Sequence, residues 1–437
     1  MSEPAVDKSA GARLEHSGIE RDLALFNAYR FLSTSYLFVP IFLLFLAGRG
    51  LSFTEITLLN TVYSGTLILF EVPTGVLADR WGRKRAMVLG SLMMAGGCLL
   101  DYVGHSFLLF AAGEGLLALG MTLSSGADSA YLFDLLRDAG RESEYRRREG
   151  AASAAKLVGA ALALAAGGWL ARTSLSATYL VTAGVCVVAS VAAALLRESR
   201  ARTGFGKGVT QQIVHSARTV ITHKPLAFAV LFSTLVFVLV RTSSLYVQQP
   251  YLTSAGFGVA SVGVVMAGLS IVAAWGAHRI DGLRKLFGER GLLWGVPATL
   301  ALSYLVLGRW TATWGVSLLL VQSLLNGVYS PLSKELLNRE IVDSSQRATV
   351  LSVESAVRRL AFGMFAPLAG VLVDGYGWRA GLWCTAALGG VGTIALTVWL
   401  LRRPPVATAV YLTPANPGPS PVHDIDSGRL AAEVQRG

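Results

Sequence analysis

Twelve predominantly apolar stretches of 19 to 28 residues constrain this chain more than any other feature: roughly 23–47, 54–78, 85–103, 106–132, 150–171, 175–196, 225–252, 257–279, 290–308, 311–334, 348–373 and 378–401. A bilayer core about 30 Å thick is crossed by about 20 apolar residues of helix, so each stretch is read as a span. No two-residue alternation competes with that reading. A soluble fold is excluded by charge: 15% of the 437 residues are charged, where soluble domains carry about 25%. The three cysteines, Cys98, Cys186 and Cys384, each sit inside an apolar run and suggest neither a disulfide framework nor a metal site.

The loops between the spans alternate in charge. With the N-terminus inside, the outer loops hold only Arg49, Arg172, Arg309 and Arg379. Arg30, Lys156 and Arg241 are assigned to spans, and the remaining cations gather on the inner side, among them Arg80–Arg85, Arg146–Arg148 and Arg197–Lys224. The positive-inside rule then places both termini in the cytoplasm. It also accounts for the net charge of +11 without nucleic acid. The expected organisation is a polar segment 1–22, a six-span half 23–196, a cytoplasmic linker 197–224, a second half 225–401 and an aperiodic Pro-rich tail 402–437. Ile213, Val214, Val220 and Ile221 suggest a short interfacial helix in the linker.

Spans two and three are joined by GVLADRWGRKR, residues 75–85. Topology alone would require cations there, but not an aspartate flanked by glycines. With the six-plus-six arrangement, this loop resembles that of the major facilitator superfamily of secondary transporters. The family pattern runs Gly, three residues, Asp, Arg, any residue, Gly, Arg and further cations. Gly75, Asp79, Arg80, Gly82, Arg83, Lys84 and Arg85 match it position by position. The resemblance implies an all-α integral membrane protein of twelve helices in two six-helix bundles, both termini cytoplasmic, in the cell membrane. It also implies a gate. Asp79, at the inner end of span two, would cap the positive N-terminus of span eleven, after Ser344-Ser345-Gln346, when the inner side is closed. Arg80 and Arg83 would reach the acidic groups at the end of span four, Asp128, Asp134 and Asp138. Between spans eight and nine, Gly276 and Asp281 in GAHRIDGLRKLFGERG read as a worn copy of the same loop.

Ionisable groups within spans are costly and mark functional positions. The resemblance places spans one, four, seven and ten around a central cavity. On span one, Asn27, Arg30 and Thr34 share a helical face, as do Arg241, Ser244 and Gln248 on span seven. Span ten carries a stripe of Gln322, Asn326, Tyr329 and Ser333, and span four carries Glu114. Similar depth suggests an Arg30–Glu71 ion pair in the inner half. Glu114 and Arg241, in the outer half, become candidates for substrate contact or proton coupling.

Two features depart from drug/proton exporters. Leu116 stands four residues before Gly120 where those proteins often have arginine, and Ala163-Leu164-Ala165-Ala166-Gly167-Gly168 lacks the proline of their span-five signature. The expected function is secondary active transport of a small organic molecule, with proton-coupled efflux as the leading form and a nutrient importer as the alternative. A non-transporting membrane sensor is a remote alternative. An enzyme is not expected, because no nucleophile–base set or metal spacing is present. The expected partners are a small-molecule substrate, protons and the lipid bilayer, with no cofactor, no metal, no nucleic acid and a monomeric chain.

Overall fold

The computed structural model describes residues 8–198, 220, 222–310, 313–341 and 347–402. Among these residues there is no strand. The helices are α1 (Lys8–Leu32), α2 (Phe42–Gly48), α3 (Phe53–Trp81), α4 (Arg83–Val103), α5 (Phe107–Ser124), α6 (Ala127–Asp138), α7 (Tyr145–Leu170) and α8 (Leu175–Ala194) in the first half. The second half holds α9 (Lys224–Thr242), α10 (Gln248–Ser254), α11 (Val259–His278), α12 (Ile280–Arg309), α13 (Val316–Glu340), α14 (Arg347–Tyr376) and α15 (Trp378–Arg402). Eleven helical stretches of the described residues are long and apolar enough to cross a membrane. They form two bundles, one per half.

The first span is not the continuous helix expected over 23–47. α1 begins at Lys8 and stops at Leu32, and the chain resumes helix only at Val39, as a short 3-10 turn leading into α2. The cause is local. The Ser33 and Ser35 hydroxyls donate to the carbonyls of Arg30 and Phe31, at 3.3 and 2.7 Å, competing with the helical ladder. Pro40 has no N–H to continue that ladder. Groups released by the break find partners on other helices: the Leu37 amide donates to Thr182 Oγ1 at 3.1 Å, and the Thr34 hydroxyl to the Lys156 carbonyl at 3.2 Å. Broken backbone at membrane depth is tolerated where it is satisfied in this way or faces a cavity.

Other spans are also interrupted. Span four breaks at Gly126 (φ 83°), separating α5 from α6. Span seven passes through a π-helical turn at Ser243–Val247; Pro250 follows, unable to donate to the Tyr246 carbonyl. The segment expected as a loop between spans eight and nine is mostly helical, α12 starting at Ile280 with a kink at Gly288 (φ 70°). Of the expected interfacial-helix residues, Val220 is described and is buried in the core of the second half; Ile213, Val214 and Ile221, the Ser344–Gln346 approach to span eleven and the tail beyond Arg402 lie outside the described residues.

Small residues set the closest helix crossings. A Cβ on Gly97 would lie 2.8 Å from the Gly113 carbonyl oxygen, which fixes α4 on α5. Likewise, a Cβ on Gly168 would lie 2.7 Å from the Gly263 Cα, so α7 meets α11 backbone to backbone across the two halves. One end of the molecule carries the Asp79–Arg85 loop together with the start of α1 and the end of α15; it is called the basic end below.

Candidate functional site

α3 starts at the far end with a reciprocal capping box between Ser52 and Glu55, and at the basic end Gly82 stops it at φ 103°, a conformation that favours glycine. The turn brings Arg83 back toward α6. There its guanidinium pairs with the buried Asp134 and donates to the Ala130 carbonyl at 2.6 Å. Asp79 lies 3.9 Å from Arg83. Arg80 and Arg85 are exposed.

Asp128 does not join the loop arginines. It pairs with Arg30, whose other terminal nitrogen is 2.9 Å from Glu149. The expected Arg30–Glu71 pair is therefore corrected. Arg30 is 5% exposed and turned toward α6 and α7, while Glu71 on α3 is exposed. Asn27 is half-buried on α1.

The hydrogen bonds that join the two halves lie away from the basic end. Leu43 N–H donates to Gln249 at 3.0 Å, and the Thr61 hydroxyl donates to the Gly363 carbonyl at 2.7 Å. Asp374, near the end of α14, accepts from the Phe53 and Thr54 amides at the start of α3. Phe53 also stacks edge-on to Trp378 and Tyr246, with ring centroids 5.7 Å apart in each case. Toward the basic end α3 leaves its partner: Glu71, Val72 and Pro73 are exposed, and nothing approaches within 4 Å of a Cβ placed on Gly75.

Between the halves lies a cavity of about 310 Å³. Tyr36, Phe38 and Phe42 from the broken first span line it, with Asn60 and Tyr63 of α3, Met94 of α4, and Glu114 and Met121 of α5. Arg241 and Ser244 face it from the other half. The broken span and the π-turn therefore both border the same space. Glu114 and Arg241 stand on one wall system without a direct ion pair or hydrogen bond among the described residues. Tyr63 lies within electrostatic range of both.

The expected stripe on span ten does not line this cavity. Gln322 is 1% exposed and sits between helices, accepting from Ser243 at 2.5 Å and donating to Ser303 at 2.7 Å. Gln248 is buried and donates to Ser323 at 3.4 Å. The Tyr329 hydroxyl meets Ser233 at 3.1 Å and Arg358 at 3.3 Å. Ser333 is buried and Asn326 half-buried. Polar side chains on one helical face serve equally well to bond neighbouring helices, at about 0.6 kcal/mol on average and up to about 1.7. That use accounts for Gln248, Gln322 and Tyr329.

Sequence reading missed Asn60 and Tyr63, a polar i, i+3 pair on span two. It also missed Glu354, Arg358 and Arg359, which stand within the apolar interval 348–373. Asp101 was overlooked too. It is 2% exposed near the end of α4, one of its oxygens without a hydrogen-bond partner and packed at Gly113 in the α4–α5 seam.

Residues 24–339 match the Major Facilitator Superfamily. The chain belongs to the major facilitator superfamily. It is thus a multi-pass membrane transporter of that fold rather than an enzyme. A curated relative, an uncharacterized transporter of Buchnera aphidicola subsp. Schizaphis graminum (strain Sg), is 32% identical over 80 residues, which are 18% of this chain and 20% of that protein. The match thus spans about a fifth of that relative's length. Among solved structures, a mutant of the nucleoside transporter NupG superposes with a TM-score of 0.76 at 13% identity, covering 87% of this chain and 99% of that one. A POT family transporter in complex with 5-aminolevulinic acid gives 0.68 at 12% identity over 89% and 96% of the two chains. A D-xylose–proton symporter gives 0.64 at 13% over 86% and 96%. At these identities the likeness establishes the fold alone.

Proposed function

We propose that this chain moves a small organic molecule across the cytoplasmic membrane by alternating access, as a monomer, with the basic end in the cytoplasm. One observation carries the reading: a cavity bearing Glu114 and Arg241 lies between two halves that are bonded together on the side away from the basic end. Rocking the halves about the cavity would exchange that seal for one at the basic end, where Asp79 would meet the start of α14. The Lys and Arg bias of the loops supports the orientation. The chain divides functionally into the half 23–196 and the half 225–401.

Coupling is assigned to protons, with Glu114 as the carrier. It is a carboxylate on the cavity wall with no ion pair among the described residues, so it can exchange a proton with whichever side the cavity faces. Export is the leading direction. The Met and aromatic lining, Tyr36, Phe38, Met94 and Met121, adapts to varied apolar bodies. Import is the second reading, favoured by the fold's likeness to a D-xylose–proton symporter and to the nucleoside transporter NupG. Everted vesicles loaded with a pH-sensitive dye and given a compound panel separate the two. Substrate addition that discharges an acid-inside gradient supports proton-coupled export. Addition that leaves the gradient unchanged for every compound removes the coupling, and uptake only into right-side-out vesicles reverses the direction.

A further inference from the structure

We infer that the transported molecule is an organic anion whose negative group is seated between Arg241 of α9 and Arg359 of α14; the inference rests on the transport reading above. Arg359 lies one helical turn from Gly363, toward the basic end, and Gly363 is the residue bonded to Thr61 of α3. That bond fixes Arg359 beside the segment of α3 that presents Asn60 and Tyr63 to the cavity. Arg241 and Arg359 lie within range of each other's charge, and both within range of the Tyr63 hydroxyl.

The other arginines at this depth are matched by carboxylates. Arg30 is held by Asp128 and Glu149, and Arg358 lies 3.7 Å from Glu354. Arg359 donates only to the Ser355 hydroxyl, at 3.3 Å, and Arg241 has no bonded partner among the described residues. The cavity wall itself carries Arg241 and one carboxylate, Glu114, and Arg359 adds a second guanidinium within range of Arg241. Asp101, packed in the α4–α5 seam at Gly113, lies within range of Glu114 but bonds neither guanidinium.

Neither guanidinium is therefore bonded to a carboxylate among the described residues. When the basic end closes and water is displaced from the cavity, the pair needs an anion beside it, and the substrate can supply one. A guanidinium fork suits the planar, two-oxygen face of a carboxylate or phosphate. Phe38, Phe42 and Met94 leave room for an apolar body beside it.

The test uses the purified full-length chain and matched compound pairs: arylalkyl carboxylates against their amides, and phosphate monoesters against their parent alcohols, with alkylamines as a third set. Binding is read by thermal shift and transport in proteoliposomes. At least one anion set should bind, with its neutral partner weaker by about 10- to 100-fold, the range expected for one charge-assisted contact. Whichever anion set binds names the group. Arg359→Gln should weaken the anion by a similar factor, Arg359→Lys by less, and both should leave expression normal. Amides, alcohols or amines that bind and are transported as well as the anions would overturn the inference while leaving the transport reading intact. Failure of every anion to bind would overturn it as well. The wild-type acid–amide comparison keeps the test decisive should Arg359→Gln not fold.

Discussion

The Asp374 carboxylate accepts both from the Thr54 amide, at 2.8 Å, and from the Thr54 hydroxyl, at 2.6 Å, and so ties the end of α14 to the start of α3. A third bond comes from the Phe53 amide at 2.9 Å. An aspartate here satisfies free N–H groups at a helix N-terminus belonging to the opposite half. The same two helices would be tied at the basic end by Asp79 of α3 and the N-terminus of α14. One helix pair would thus carry a capping aspartate for each closed state.

Asp374→Ala should destabilise the present seal. Loss of a capping side chain costs about 0.5–2 kcal/mol, which is roughly a 2- to 30-fold shift in the equilibrium between conformations. Spin labels at Thr173 and Tyr376, on the two halves at the sealed end, should show a larger long-distance population in the variant. An unchanged distance distribution would mean that the contact does not hold this end shut.

Asp79→Asn should act in the opposite sense. Removing the anion takes away an attraction to the α14 helix end of roughly 0.3–2 kcal/mol. The expected outcome is slower transport at normal expression and greater thiol labelling of a Glu71→Cys reporter from the basic side. If both transport and labelling match the parent, Asp79 is not a gate.

Gly263→Leu should block closure on sterics alone. With no room for even a Cβ on the facing Gly168, a leucine at Gly263 must push α7 and α11 apart; overpacking of this kind costs about 1–3 kcal/mol. Transport should fall while both bundles remain folded, as judged by circular dichroism and monodispersity. Normal transport would show that the halves need not meet at this crossing.

Glu114→Gln separates coupling from passage. Proton-driven accumulation should be lost, whereas exchange of labelled for unlabelled substrate across the membrane should persist, because exchange does not require the carboxyl to release its proton. Retained proton-driven accumulation would move the coupling group elsewhere.

Much of this molecule was legible in the chain. Eleven of the twelve expected spans appear as helical stretches of spanning length, as the apolar runs require, and the Arg83–Asp134 contact is one of those that the family resemblance of the loop after span two implies. Three things were not legible. The break at Ser33–Phe38 depends on hydroxyls that satisfy the backbone through Thr182 and the Lys156 carbonyl, contacts made only once α1, α7 and α8 are packed. The partner of Arg30 could not be read from depth, since Glu71 and Asp128 lie on different helices and only the rotation of α1 decides between them. The stripe from Gln322 to Ser333 is polar for the same reason whether it faces water or a neighbouring helix. Arg359, by contrast, was in plain view as a charge inside an apolar interval.

Alternating access is tested most directly by the reactivity of a single cysteine on the cavity wall. In a chain with Cys98, Cys186 and Cys384 replaced by serine, Ser244→Cys would be exposed to a membrane-impermeant maleimide in right-side-out and in everted vesicles. The account predicts labelling from both faces, and labelling only from the basic face once cysteines at Thr173 and Tyr376 are cross-linked and their unreacted thiols blocked. Labelling from one face alone, unaffected by the cross-link, would contradict it.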